Sequence, residues 1–436
     1  MAFKDIRKSR KWLSREEIGL LVVVLVILIS AFALNNTLAG VLPGGELFFW
    51  RWTGARAFLV EKIEPYGPEI AQRVQIIAYN GRFAFSSEYP YALNDPFFIV
   101  LLYTPLAFLR ELVAFVSPST ASLFGFPLMR GLWMILSEVA LIGTVLYSIN
   151  LAEWEPPRWL FASLIGFGLF GYFSLNALAV GTPAIILTFL YLSILLALRS
   201  GQDELAGAFL SLVAYQWEVG GLFFLFIVVF IFANRRWNVL TGFAMSLFLL
   251  ITVSFLAHPG WGLPYIRAVL SDWYRTPYLN LNSILSVWFP NVWFNLGTVV
   301  SLALGTAVII EWIGAVQSHF RRVVWAASLS LAATPLIGFA IFPSNHVVLI
   351  PSLVLILALV WERWSRSRVF MTILILALAL LVPFGLYLQT SDVYNRLYSD
   401  LLSAVPPIAT VIGLYWMRWW VVHSPRTWID QLGVRR

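Results

Sequence analysis

Apolar runs of about sixteen to twenty-nine residues recur along the whole chain, separated by short polar or basic breaks. No other feature restricts the fold so severely. A helix that crosses a hydrocarbon core of ~30 Å needs roughly 20 residues, or about 17 where the bilayer thins. Runs of that order lie near 18–40, 96–116, 128–150, 158–175, 181–199, 205–233, 237–257, 293–312, 322–342, 346–361, 368–388 and 406–422. A soluble fold has no means of covering so much apolar surface: 60% of the 436 residues are hydrophobic and 12% charged, against roughly 25% charged in an ordinary soluble domain. In a bilayer every backbone polar group must be bonded internally, which a helix achieves within its own segment. The reading is an all-α polytopic integral membrane protein. It is a single transmembrane domain over 1–436, with a membrane-spanning core at 18–422 and about twelve transmembrane helices.

The net charge of +7 does not point to nucleic acid, because Lys and Arg cluster in the breaks between apolar runs. That is the positive-inside pattern. Residues 1–17 hold six Lys or Arg against three acids, and further clusters lie at Arg235-Arg236, Arg321-Arg322, Arg363 to Arg368 and Arg435-Arg436. Placing all five on the cytoplasmic side of a cell membrane puts both termini inside. Residues 41–95 and 258–292 become long outside loops, with 343–345 and 389–405 as short ones. The first run could be a signal peptide cleaved near Ala31-Phe32-Ala33, but it exceeds the roughly 7 to 15 residues of such h-regions and reads as a retained span. An odd number of crossings must separate residue 95 from residue 234. The stretch 205–233 then serves as one kinked span, which with 96–116 makes five, or as two short half-helices meeting at Gln216-Trp217-Glu218.

The chain has no Cys, which removes disulfides and thiolate chemistry. Its four His are scattered, with no His-x-x-x-His, no Asp-x-Asp and no Gly-rich loop followed by Lys. No cofactor is expected, ATP use is disfavoured, and a divalent metal is left open.

The two long outside loops carry the residues suited to chemistry. In the first, Leu47, Trp50, Gly54 and Phe58 recur at helical spacing, which predicts an amphipathic helix on the membrane surface with Glu46 at its start. A carboxylate at that position is explained by the helix dipole alone. Equally, a carboxylate at the water–membrane boundary can accept a proton from an acceptor hydroxyl. Asp95 in Asn94-Asp95-Pro96 has the form of a helix N-cap with Pro at the first position, and is the second candidate carboxylate. Within the apolar runs, Glu138 is expected to pair with Arg130, two turns before it, and Glu218 to face a water-filled cavity.

Glu46, Trp50, Ala55 to Ala57, Pro65-Tyr66, Tyr89-Pro90 and Pro105-Leu106 follow one another in a distinctive order. Gln216-Trp217-Glu218 before Asn234-Arg235-Arg236-Trp237, and Ala333-Thr334-Pro335-Leu336 before Asn345-His346 and Pro351, extend it over roughly 40–355. In this the chain resembles the GT-C membrane glycosyltransferases, most closely the family 87 type of polyprenyl-phosphate-dependent, mannosyltransferase-like proteins. It departs from that pattern in having Glu46 where Asp is usual and Tyr91 in place of a second Pro. Gln216 to Glu218 also stand where a Lys-Pro is common.

The resemblance implies a GT-C-like bundle that transfers a sugar, such as mannose, with inversion from a polyprenyl-phosphate donor to a lipid or glycan acceptor on the non-cytoplasmic face. Glu46 would be the general base, and membrane lipids the remaining partners. A phosphate leaving group calls for cations, and Arg56, Arg82, Arg267, Arg275 and His346 are the candidates. The same Arg residues could instead meet lipid headgroups or pair with Glu61, Glu64 and Asp272, and His346 could cap a turn. Trp50, Tyr66, Tyr89, Trp217, Trp273, Tyr274 and Glu218 are candidates for contact with sugar or lipid, although interfacial belts explain many such aromatics. A transporter or lipid flippase is the alternative from a different class, and it would place its polar site near the membrane midplane. A scaffold whose loops bind a partner is a third.

Overall fold

The computed structural model describes residues 15–85, 88–121, 124–275, 278–292, 294–390 and 396–422. The basic residues before Arg15, His423 and the Arg435-Arg436 tail therefore lie outside the described residues. Among those described, the regular structure is helical throughout. The helices are α1 Arg15–Val41, α2 Glu46–Arg56, α3 Pro68–Ala78, α4 Phe97–Leu102, α5 Thr104–Val116, α6 Pro118–Ala121 and α7 Phe126–Leu151. They continue with α8 Arg158–Phe170, α9 Tyr172–Val180, α10 Ala184–Arg199, α11 Asp203–Val213, α12 Trp217–Asn234 and α13 Trp237–Ala257. The last are α14 Gly262–Arg275, α15 Leu281–Trp288, α16 Leu296–Ala315, α17 Phe320–Ala333, α18 Ile350–Arg363, α19 Arg368–Gln389 and α20 Arg396–Val422. The protein is a polytopic helical membrane protein: among the described residues nine helices, some merging adjacent elements, are long and apolar enough to cross a bilayer. The apolar side chains they leave exposed, such as Ile27 and Ile29 on α1 or Leu381 and Leu388 on α19, are the lipid-facing surface.

Hydrogen bonds sort the helix ends into two sets. At one end Arg199 donates to the Asn150 carbonyl (3.1 Å) and pairs with Glu153 (2.7 Å). Arg236 donates to the Leu198 carbonyl (2.9 Å) and pairs with Asp203 (3.0 Å). Asn234 reaches the Val316 carbonyl (2.7 Å), and Arg321 pairs with Glu362 (2.8 Å). The basic turns thus lie together, as the positive clusters require if they share one side of a membrane. At the opposite end the first residues of α2 and the segments 89–95, 180–183, 214–218 and 337–345 surround a cavity.

Three of the twelve expected runs fall short of a continuous span. The run 181–199 is the 16-residue α10, and 322–342 is the 14-residue α17 followed by a 3-10 turn Thr334–Leu336. Both stop at the cavity. The run 96–116 breaks at Tyr103 into α4 and α5 and stays beside α2: Trp52 donates to the Leu106 carbonyl (3.2 Å) and Arg56 pairs with Glu111 (3.0 Å). In its place, 205–233 is two helices, α11 and α12, that meet at Gln216. The parity is preserved, because α7, the α8–α9 pair, α10, α11 and α12 make five passes between the two ends.

The expected amphipathic surface helix is also corrected. Helix α2 is buried on nearly every side, with Phe48, Trp50, Arg51, Trp52, Thr53, Gly54 and Ala55 all inside. Aromatic residues explain the mistaken periodicity: they occupy both faces, and α3, α4, α5 and α7 cover them. The following helix, α3, has the two-faced character, burying Ile70, Ala71 and Val74 and exposing Glu69 and Gln72.

The closest helix contact joins α11 and α13 through two glycines. A Cβ at Gly207 would stand 2.0 Å from the Val239 carbonyl oxygen, and one at Gly242 would stand 2.3 Å from that of Glu204. Small residues at such crossings let backbones touch, which is a main source of attraction between helices in lipid. Gly207→Ala is expected to lower the stability by about 1–3 kcal/mol or more, read as melting temperature in detergent. Gly166→Ala on α8, where a Cβ meets nothing within 4 Å, should leave the melting temperature unchanged.

Candidate functional site

The cavity has a volume of about 1080 Å³. Its walls come from α2 (Glu46, Leu47, Trp50, Arg51), the segment after α3 (Tyr89, Tyr91, Asn94, Asp95), and the end of α9 (Asn176, Val180) with Thr182. The α11–α12 joint adds Tyr215 to Glu218, α14 adds Tyr265, Asp272 and Trp273, and Tyr278 and residues 337–345 complete it. Residues from both predicted outside loops therefore meet on one space.

Glu46 stands at the start of α2 after Gly44 and Gly45, whose φ angles are 113° and 83°. These are left-handed conformations in which a side chain is strained, and space forbids one as well. A Cβ on Gly44 would lie 2.7 Å from the Ala179 carbonyl oxygen, and on Gly45 2.7 Å from Arg130 Nε. The turn aims Glu46 at the cavity, where, among the described residues, its carboxylate is bonded only to its own backbone amide. Burial pushes the Glu46 carboxyl up from the ordinary value, while that amide and the charge of Arg130 pull it partly back.

Asp95 also reaches the cavity but is not uncommitted. Arg51 Nε lies 2.6 Å from its Oδ2 and Nη2 3.3 Å from its Oδ1, with both side chains almost wholly buried. Arg51 Nη1 donates to the Leu47 carbonyl (3.0 Å). Burial opposes the Arg51 charge, yet the Asp95 carboxylate outweighs it and holds the guanidinium ionised. The expected N-cap role is not seen, since Pro96 is the capping residue of α4 and has no side-chain cap bond. Asp272 on α14 accepts from Asn94 Nδ2 (2.6 Å) and from the Tyr278 hydroxyl, clasping the two loops together. Glu218, in the first turn of α12, faces the cavity and is bonded to no protein group among those described.

Among the described residues, four carboxylates and one guanidinium therefore line the space, and the guanidinium is spent on Asp95. Aromatic rings complete the walls. Trp50 lies edge-on to Tyr89 and Tyr91 (6.0 and 6.3 Å between centroids), and Tyr89 is 4.9 Å from Tyr91 and 6.1 Å from Tyr278.

Of the residues singled out from the sequence, Glu46, Trp50, Tyr89, Asp95, Trp217, Glu218 and Trp273 line this cavity. Others do not. Tyr66 sits behind the wall and donates to the Asp95 carbonyl (2.9 Å). Arg56 is held by Glu111 (3.0 Å) and Glu61 (3.6 Å). Arg82 is bound by both oxygens of Glu88 (2.5 and 2.6 Å), which draws that carboxyl down to about 2. Arg267 is exposed on α14, and the side chains of Tyr274 and Arg275 lie outside the described residues. Glu138 accepts from Asn35 (2.9 Å) and not from Arg130, which is taken by backbone carbonyls.

His346 faces away, with Nε2 2.7 Å from the Ser403 carbonyl oxygen and its ring 5.1 Å from that of Phe173. It lines a second, almost wholly apolar cavity of about 400 Å³ among α8, α9, α18, α19 and α20. The two cavities share walls: α9 and residues 343–349 turn Asn176 and Asn345 to the first and Ser174 and His346 to the second.

The sequence reading missed Arg51, Asn94, Asp272 as a wall of the site, and Tyr278. Arg51 was hidden among aromatics that suggested a surface helix. For Asp272 and Tyr278 the partner is Asn94, in the other loop, and no spacing within one segment signals it. No protein-family model matches the sequence, and no curated protein matches it.

Removing one partner of the buried pair leaves an uncompensated charge. Arg51→Met or Asp95→Leu alone should cost about 3–5 kcal/mol, and the double substitution should recover most of it. Melting temperatures of the three variants in detergent check this.

Proposed function

We propose that this protein is a GT-C type glycosyltransferase, moving a sugar such as mannose from a polyprenyl-phosphate donor to a hydroxyl of a lipid or glycan acceptor at the non-cytoplasmic face. The observation that carries the reading is Glu46: a half-buried carboxylate on a fixed turn, committed to no other side chain among the described residues, and opening into a polar and aromatic cavity beside an apolar one. Carboxylates and side-chain amides suit a polyol head, aromatic rings suit a sugar face, and the apolar neighbour suits a hydrocarbon chain.

In the proposed reaction the acceptor oxygen attacks the anomeric carbon as the bond to the donor phosphate breaks. The electron pair leaves with the phosphate, the acceptor proton passes to Glu46, and one displacement inverts the centre. Arg275, three residues after Asp272 in the sequence, is the outside-loop Arg assigned here to the leaving phosphate.

Glu46→Gln is expected to cut transfer by at least about 10²-fold, the usual scale for a general base. Proteoliposomes supplied with polyprenyl-phosphate mannose provide the assay, and wild-type-like transfer by Glu46→Gln would remove Glu46 from the role. The base works ionised, so activity is lost as pH falls through its pKa. That limb should lie above 4.5, because burial raises the Glu46 carboxyl. The stability has the opposite sign. A carboxyl raised in the folded state favours folding below that pKa and opposes it above, so Glu46→Gln should melt higher than wild type at pH 7 while losing transfer.

One observation favours a transporter or flippase: α11 and α12 are broken at Gln216, leaving Glu218 at a half-helix start facing the cavity. Such broken helices form transporter sites. Movement of substrate across the vesicle without turnover, abolished by Glu218→Gln and not by Glu46→Gln, would establish that reading instead.

A further inference from the structure

Arg130 has an arrangement that packing alone does not require. It lies in the second turn of α7 and is 3% exposed. Its guanidinium donates to four carbonyls: Ala39 (3.3 Å), Leu42 (2.9 Å), Pro43 (3.3 Å) and Ala179 (2.8 Å). Ala39 is in the last turn of α1 and Ala179 in the last turn of α9. Carbonyls at helix C-termini have no intrahelical donor and carry the negative end of the helix dipole. One side chain thus gathers two such ends together with the turn that leads into Glu46. A Cβ on Gly45 would meet Arg130 Nε at 2.7 Å, and one on Gly44 would meet the Ala179 carbonyl oxygen that Arg130 holds, also at 2.7 Å.

Among the described residues, the groups around Glu46 leave Arg130 as its cation. Arg51, on the same helix, is closed by Asp95, and Arg56 is closed by Glu61 and Glu111. From the neighbouring wall Glu46 faces the hydroxyls of Tyr79 and Tyr91, which are neutral. From α7 Arg130 lies against Gly45, the residue before Glu46, and its positive charge favours the ionised carboxylate, after the effects of burial and of the residue's own amide.

We infer that Arg130 is the positioning residue of the Glu46 site: it builds the turn that aims the carboxylate into the cavity and supplies the positive charge beside it. The inference rests on the reading of Glu46 as the base. Lysine cannot replace it in full, because an ammonium offers three donors on a flexible stem where the guanidinium offers five in a rigid fork.

The test uses full-length protein labelled with carboxyl-13C glutamate, in which the Glu46 signal is the one lost in Glu46→Gln. In Arg130→Gln the Glu46 titration midpoint should rise measurably above wild type, as expected when a nearby opposite charge is removed. In Arg130→Lys, which keeps the charge, the midpoint should stay near wild type while kcat for transfer falls about tenfold through misplacement of the carboxylate. An unchanged midpoint in folded Arg130→Gln, or a wild-type kcat in Arg130→Lys, overturns the proposal. Should Arg130→Gln not fold, the Arg130→Lys result decides alone. A midpoint that depends on Arg130 in a protein without transfer activity would sustain the electrostatic coupling and refute the general-base reading separately.

Discussion

The Arg51–Asp95 pair fixes the geometry on which the cavity depends. It ties the middle of α2 to the residue that precedes α4, and both side chains are withdrawn from solvent. Two charges in such a place are costly unless every donor and acceptor is used, and here the guanidinium forks onto the carboxylate and onto the Leu47 carbonyl. Tyr66 then bonds the Asp95 backbone, and the adjacent Asn94 reaches across to Asp272. One ion pair therefore sets the mutual position of α2, the segment that follows α3, and α14. These are three of the walls around Glu46.

The cavity exists because several helices stop early. Helix α10 begins after Pro183, α11 ends at Val213, α12 begins at Trp217, and α17 gives way to a 3-10 turn that ends at Leu336. Each of these boundaries lies beside lining residues. Backbone that leaves a helix at membrane depth needs other partners, and a polar cavity inside the protein is one of the few places that can supply them. The irregular segments and the polar lining are two aspects of a single solution. The cavity's carboxylates divide by the same logic. Asp95 and Asp272 hold the walls together, while Glu46 and Glu218 remain directed into the space.

How much could be read in the chain depended on the range of the interaction. Membrane helices were legible because hydropathy is local, and nine of the twelve expected runs contain a helix of spanning length. The run 96–116 was misread because hydropathy does not distinguish lipid from protein as the covering medium. Its apolar residues Phe97 to Val100 are buried in the protein, against α2 and its neighbours. Glu46, Trp50 and Tyr89, which share the first outside loop, line one cavity. The removal of Arg56 and Arg82 from the site was not legible, since guanidinium groups are claimed by whichever carboxylates the fold brings near, here Glu111 and Glu88.

The sequence by itself determined that this chain is a helical membrane protein, that its basic turns belong at one end, and that its two long loops are rich in aromatic and polar residues. Each follows from composition and short-range pattern, which no partner can alter. Only the tertiary structure decided that α2 is buried, that Arg51 closes Asp95, that Arg130 braces the turn before Glu46, and that His346 faces an apolar space. These rest on contacts between residues 44 to 91 positions apart or more. In such contacts the free energy of a charge or a hydrogen-bonding group is set by what the fold places opposite it.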